Sequence, residues 1–194
     1  DQLAHKPFPS GRLTHGLVHA IKYLKSKYRL NKDDINTIEC IVPPGVHKLV
    51  ARPINKNLTT NYSKLCAKFV GASFMVNDHL DIESFTEEKY LNNTETLNFA
   101  KKIIMIKNEK LDQKVLTPQK FIITMVNKSK IEINLDHVYG HPKVPLSEKE
   151  YLEKFSKCCF SSTKKIDDTQ INKMIDFIFN LENKDNVIDF FKTI

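Results

Sequence analysis

Long apolar runs are missing from this 194-residue chain. None approaches the roughly 20 residues that a bilayer-spanning helix needs, and no charged, then apolar, then small-residue leader stands at its start. No membrane partner and a cytoplasmic location are therefore expected. Glycine is scarce, with five residues and none in a phosphate-loop or dinucleotide-binding pattern, so nucleotide chemistry has no support. The four cysteines, Cys40, Cys66, Cys158 and Cys159, have neither metal-site nor disulfide-framework spacing. A serine nucleophile elbow, a zinc-protease helix, repeats and low-complexity segments are all lacking. Paired carboxylates at useful spacing fall only on helix surfaces, where solvation explains them.

The remaining composition is that of a globular protein, with 41% hydrophobic and 27% charged residues. Such a length suffices for one sizeable core, or for one domain and a piece of another. The chain opens on Asp1 rather than Met and reads as a fragment. A net charge of +7 suits an acidic partner, but the 30 basic residues are interspersed with 23 acidic ones. Nucleic acid is not expected as a partner, because its recognition requires clustered charge.

The stretch with the most chemistry is Lys6-Pro7-Phe8-Pro9-Ser10-Gly11-Arg12-Leu13-Thr14-His15. Its prolines hold the backbone extended, and Ser10 and Thr14 are both suitable N-caps for the apolar-periodic run that follows. Leu13, Leu17, Ile21, Leu24 and Tyr28 recur at helical spacing, predicting an amphipathic helix over 13–28. A helix N-terminus flanked by Lys6, Arg12 and His15 is a natural carboxylate-binding corner. On the helical wheel His15 and His19 lie about 200° from Leu13 and Leu17, away from the apolar stripe. For His19 the expectation is a solvated polar face; for His15 a functional and a surface role stand level.

Further along, 35–42 reads as a strand, ended by Pro43-Pro44-Gly45 and followed by an extended piece through Val50. Residues 62–77 predict a second amphipathic helix, with Leu65, Phe69, Ala72 and Val76 on one face. Ser84-Phe85-Thr86-Glu87 reads as a capping box opening a short helix, and another helix spans Thr94 to about Lys102. Strands follow at 103–106, 121–126 and 131–136, the last two forming a hairpin with one wet face. Beyond Pro145 every segment reads as helical, starting with a capping box at Ser147-Glu148-Lys149-Glu150. Three short helices on so few residues bury little among themselves, so their apolar surface calls for a partner.

Four stretches resemble, in order and spacing, the second domain of the MmgE/PrpD family, which includes 2-methylcitrate dehydratases, cis-aconitate decarboxylases and iminodisuccinate epimerases. They are Lys6-Pro7-Phe8-Pro9 with Thr14-His15; Val50-Ala51-Arg52-Pro53; Ser63 to Phe69 running into Ala72 to Asn77; and Tyr139-Gly140-His141-Pro142 with Pro145-Leu146-Ser147 and Lys154-Phe155. The resemblance implies an α+β domain over 1–145, and C-terminal helices over 146–194 that return to an all-helical domain whose N-terminal half is not in this sequence. It further implies a homodimer and a cofactor-free reaction on a small tri- or dicarboxylate, of the kind used in propionate metabolism. Lys6 matches the family's active-site lysine, as carboxylate clamp or acid, and His15 the histidine that orients or caps. Ser10, Arg12, Arg52 and Lys64 are the further substrate-binding candidates. The general base is expected from the helical half.

Two departures weigh against cis-aconitate decarboxylation. Gly11 stands where that branch has a histidine, and Leu49 where a tyrosine is expected. Asn77 and Cys66 also replace the family's Asp and Ser. What stays open is a 2-methylcitrate dehydratase-like hydro-lyase, an epimerase of a dicarboxylate, or a catalytically silent module that folds and docks only.

Overall fold

Four strands make one sheet in the order β2-β1-β3-β4, where β1 is Ile35–Val42, β2 Ile103–Lys107, β3 Gln119–Met125 and β4 Lys130–Leu135. β1 and β2 run parallel, which demands a crossover, and residues 43–102 supply it. The other two pairings are antiparallel, and β3 and β4 join through a turn in which Lys128 takes a left-handed conformation. The computed structural model describes residues 3–55 and 58–193 of the chain, which divides between Pro145 and Leu146 into two compact units.

One face of the sheet is dry. Cys40, Val42, Phe121, Ile123, Ile133 and Leu135 alternate inward, while Glu39, Lys120, Glu132 and Asn134 lie on the opposite face. Against the dry face pack α1 (His15–Tyr28) and α4 (Ala67–Asn77), and α6 (Thr94–Ala100) packs on α4. The α+β class read from the sequence is the fold observed.

Between β1 and α4 the path departs from expectation. Pro44–Val50 is a helix, α2, where an extended piece was predicted; Pro44 at its first turn is pre-set for helical φ and loses no needed N–H. The helix expected over 62–77 is two helices, α3 (Thr60–Lys64) and α4, separated by Cys66 in extended backbone. Thr59 caps α3 by accepting the Tyr62 N–H. Nor is α4 amphipathic: Ala67 and every residue from Phe69 to Met75 are buried, because α1, α6 and the sheet surround it. Leu65, predicted for the core stripe, is exposed.

The box read at Ser84 is absent. Ser84 Oγ accepts the Asp81 N–H within a 3₁₀ turn (Glu83–Phe85), and α5 (Glu88–Leu91) begins after Glu87 without a side-chain cap. Asn93 caps α6 through the Thr96 N–H. Lys25 of α1 donates to Met75 O at 2.7 Å and pairs with Asp78, placing a cation on the last carbonyls of α4, where the helix dipole favours it.

In the second unit, α7 (Glu148–Phe160) carries the predicted capping box at Ser147 and Glu150. α8 (Asp168–Phe179) has one that the sequence reading passed over, at Asp167 and Gln170. The third expected helix is a 3₁₀ segment, Val187–Thr193. Cys159, Ile171 and Met174 form a small core, while Phe160, Phe179, Val187, Ile188 and Phe191 are each more than half exposed, the apolar surplus foreseen for this unit.

Helix α4 approaches α1 most closely at Gly71, where a Cβ would stand 2.5 Å from Leu17 Cδ2 and 3.3 Å from Ile21 Cδ1. Both neighbours are core side chains with no room to retreat. Gly71→Ala is expected to lose about 1–2 kcal/mol net in urea unfolding, overpacking outweighing the helix propensity gained. An unchanged midpoint would mean that the contact yields.

Candidate functional site

The two prolines carry the chain extended from Lys6 into a 3₁₀ turn, Arg12–Thr14, that runs directly into α1. Thr14 holds the N-cap position but does not cap; its hydroxyl donates to Gly11 O at 2.8 Å and meets Ser10 Oγ at 3.0 Å. Ser10, Thr14, His15 and Gly16 are all buried. The first turn of α1 is thus inside the protein, and the open anion-binding terminus expected from the sequence is not what folds.

His15 is fully buried, against the expectation that it faces away from the apolar side. The wheel treats α1 as having one apolar stripe, but here the N-terminal strap crosses the other side of its first turn. Phe8 meets the His15 ring edge-on at 5.2 Å. His15 Nδ1 lies 3.3 Å from Arg12 Nη1, and Nε2 lies 3.3 Å from Ser10 O. A guanidinium only donates, so Nδ1 accepts and the ring proton sits on Nε2, directed at Ser10 O. His15 is a neutral, oriented imidazole.

Arg12 is engaged as a clamp. Nη1 donates to Tyr139 O at 2.5 Å and Nη2 to Val138 O at 3.2 Å, tying the first segment of the unit to one of its last. Burial pulls its pKa below the ordinary arginine value. A second tie runs beside it, His5 N donating to Gly140 O at 2.8 Å. Gly140 has φ +89, and a Cβ there would lie 2.2 Å from His5 O, so only glycine suits the position.

Around Tyr139 gather side chains that the sequence reading placed on a solvated face or left out. His19 Nδ1 accepts the Tyr139 N–H at 3.2 Å, and Lys22 Nζ lies 4.3 Å above the Tyr139 ring. His137 and His141 stack at 4.3 Å. Burial first, then the charges of Lys22 and Arg12, pull the His19 pKa below the usual histidine range. Only the tertiary path of residues 137–141 across α1 brings these groups together; the Tyr-Gly-His-Pro sequence was the one available signal.

The remaining predicted residues divide. Lys6 is exposed, at the start of the strap. Lys64 ends α3 and is not on α4, whose opening Ala67-Lys68-Phe69 carries the lysine of that helix. Its carbonyl accepts the Gly11 N–H at 2.8 Å, which seats the corner on α3. Arg52 Nε donates to Leu49 O at 3.3 Å, and its guanidinium lies 5.2 Å from the Tyr62 ring centre. Over Gly11 sits Leu65: a Cβ at 11 would be 2.5 Å from Leu65 Cδ2. Gly11, Lys64, Leu65, Tyr62 and Arg52 thus form one neighbourhood, and Arg12, His15, His19 and Tyr139 another, meeting at the Gly11–Arg12 peptide. Among the described residues no group of three or more His, Cys, Asp or Glu could hold a metal, and no helix is long and apolar enough to cross a membrane.

Residues 8–178 match the MmgE/PrpD C-terminal domain, and the chain belongs to the MmgE/PrpD family. No curated protein matches it significantly.

The lowered His19 pKa has a thermodynamic sign. The unfolded chain takes up a proton near the ordinary histidine value, about 6.5, before the folded one does, so His19 contributes its full stability above that pH. The contribution is lost as pH falls from about 6.5 toward the lowered folded pKa. Urea unfolding at a series of pH values should show stability declining through this window, and His19→Gln should flatten that part of the slope. A slope identical in the variant would assign it to other groups.

Proposed function

We propose that this chain is the C-terminal portion of a cofactor-independent lyase of the 2-methylcitrate dehydratase type, contributing a rigid cationic corner to a site completed by the family's helical half. The observation that carries the reading is the double tie of the strap, Arg12 to Val138 and Tyr139 and His5 to Gly140. It holds Lys6 exposed beside a fixed framework. A lysine presented this way can grip a substrate carboxylate and stabilise the charge that grows on it as the neighbouring proton leaves. Arg12 and His15 act through it as positioning residues, their polar atoms being engaged within the fold. The occupied space over Gly11 and the exposed Leu49 weigh against the decarboxylase branch and leave the dicarboxylate epimerase reaction as a variant of the same chemistry.

A second reading, a catalytically silent docking module, is favoured by one specific feature. Leu65 fills the volume where a side chain at position 11 would enter the site.

Co-expression with the upstream helical half from the same source, followed by assay of 2-methylcitrate dehydration, separates the two. Turnover that falls at least about a hundredfold in Lys6→Ala, with unfolding unchanged, supports the lyase; loss of one charge-stabilising donor is commonly that large. No turnover from a folded complex on 2-methylcitrate or on a panel of small di- and tricarboxylates supports the silent module.

A further inference from the structure

The turn that completes the first unit is fastened by imidazoles acting as acceptors. Tyr139 N–H donates to His19 Nδ1 at 3.2 Å, and Lys143 N–H donates to His141 Nδ1 at 3.1 Å. A backbone N–H only donates, so Nδ1 of each ring carries no proton and both imidazoles are neutral. Around these bonds the turn is closed on itself: His141 N–H meets Val138 O at 3.0 Å, Gly140 N–H meets Val144 O at 2.8 Å, and Val144 N–H meets His141 O at 2.7 Å. His137 stacks on His141 with ring centres 4.3 Å apart and planes 12° apart. The same few residues supply the acceptors for the strap, Val138 O and Tyr139 O to Arg12 and Gly140 O to His5.

We propose that residues 137–144 are an acid-released latch: protonation of His19 and His141 turns two acceptors into donors facing backbone N–H groups, and the turn then lets go of Arg12 and His5 together. A protonated imidazole donates at both nitrogens and accepts at neither, so the Tyr139 and Lys143 N–H groups would each lose their partner. A backbone donor left unmet away from water favours whatever rearrangement exposes it.

The surroundings set the sign. His19 faces Lys22 and Tyr23 on α1, Arg12 on the 3₁₀ turn, Glu132 and Asp136 on β4, and His137. His141 faces His137, Lys143 and Arg12, while the strap adds His5 through its bond to Gly140. Glu132 is already compensated by Lys120 at 2.7 Å, which leaves Asp136 against the cations Arg12, Lys22 and Lys143. Desolvation first, and then these positive neighbours, hold His19 and His141 below the usual histidine range. Stacking resists a second charge on the His137–His141 pair for the same reason. The closed turn therefore takes up protons less readily than the released one. It is favoured fully above about pH 6.5 and is lost as pH falls toward the lowered values. Each ring that is protonated only on release multiplies the released population by about ten per pH unit across that window.

This inference concerns ties within the fold and does not rest on the enzymatic reading. Hydrogen–deuterium exchange of the full chain, read fragment by fragment at about pH 7.5 and about pH 5 with labelling times matched to the intrinsic exchange rate, tests it. Exchange of the strap and of residues 137–144 should accelerate together by about tenfold or more at the lower pH, with α4 and β3 still protected. In His19→Asn with His141→Asn, a side-chain carbonyl takes the place of Nδ1 and accepts without titrating, so both fragments should keep their slow exchange at the lower pH. Unchanged exchange in the wild type overturns the proposal, as does acceleration of the turn without the strap. So does an equal acceleration in α4 and β3, which would be unfolding of the whole unit, or a double variant that responds as the wild type does. Should the double variant not fold, His141→Asn alone, on a partly exposed turn, decides: it should cut the acceleration at least about threefold, and an undiminished response overturns the latch.

Discussion

The guanidinium of Arg12 is the joint on which the first unit closes. By bonding the carbonyls of Val138 and Tyr139 it spans nearly the whole unit, and everything of chemical interest is arranged about that link. His15 receives its tautomer from Arg12, His19 receives an N–H from Tyr139, and the strap bearing Lys6 is laid along Gly140 by a parallel tie. Charged donors to carbonyl oxygens are among the stronger hydrogen bonds, and here they are partly shielded from water. Leaving two carbonyls unmet would cost on the order of 1–3 kcal/mol each. Lysine, with one compact ammonium, cannot reproduce the fork.

That use of Arg12 changes the character of the corner. A sequence rich in cations at a helix entrance invites an anion, yet two of the three polar groups nearest α1 are spent inside the protein. Arg12 and His15 thus stiffen the corner, and Lys6 lies at its exposed rim. The adjoining neighbourhood around Gly11 is built differently, from a backbone bond to Lys64 and the side chain of Leu65 lying over the glycine. The leucine leaves no room for a side chain at position 11.

How much of this was legible in the sequence depended on whether the signal was local. β1 was readable because its run is rich in β-branched residues and bounded by a turn and two prolines, and the β3–β4 hairpin because its wet face is so regular. The capping box at Ser147 was readable because both partners sit within one turn. Failures had non-local causes. The wheel misplaced His15 because a strap from outside the helix buries its polar side. The amphipathic reading of 62–77 failed because α4 is enclosed from every direction, which erases periodicity, and Cys66 breaks the helix without a proline or glycine to announce it. Ser84 looked like a cap but spends its hydroxyl on Asp81. His19 was read as a solvated residue because its partner lies 120 positions away. The family resemblance reached further than periodicity did, since it carried the order of segments from Lys6 to Phe155.

Closure over such a span also orders events in time. Residues 138–140 must be synthesised and delivered before Arg12 has anything to hold, so α1 can form early as a helix while its entrance waits for the end of the unit to emerge from the ribosome. The strap is then the last part of the unit to settle, and once tied it shares one framework with residues 138–140.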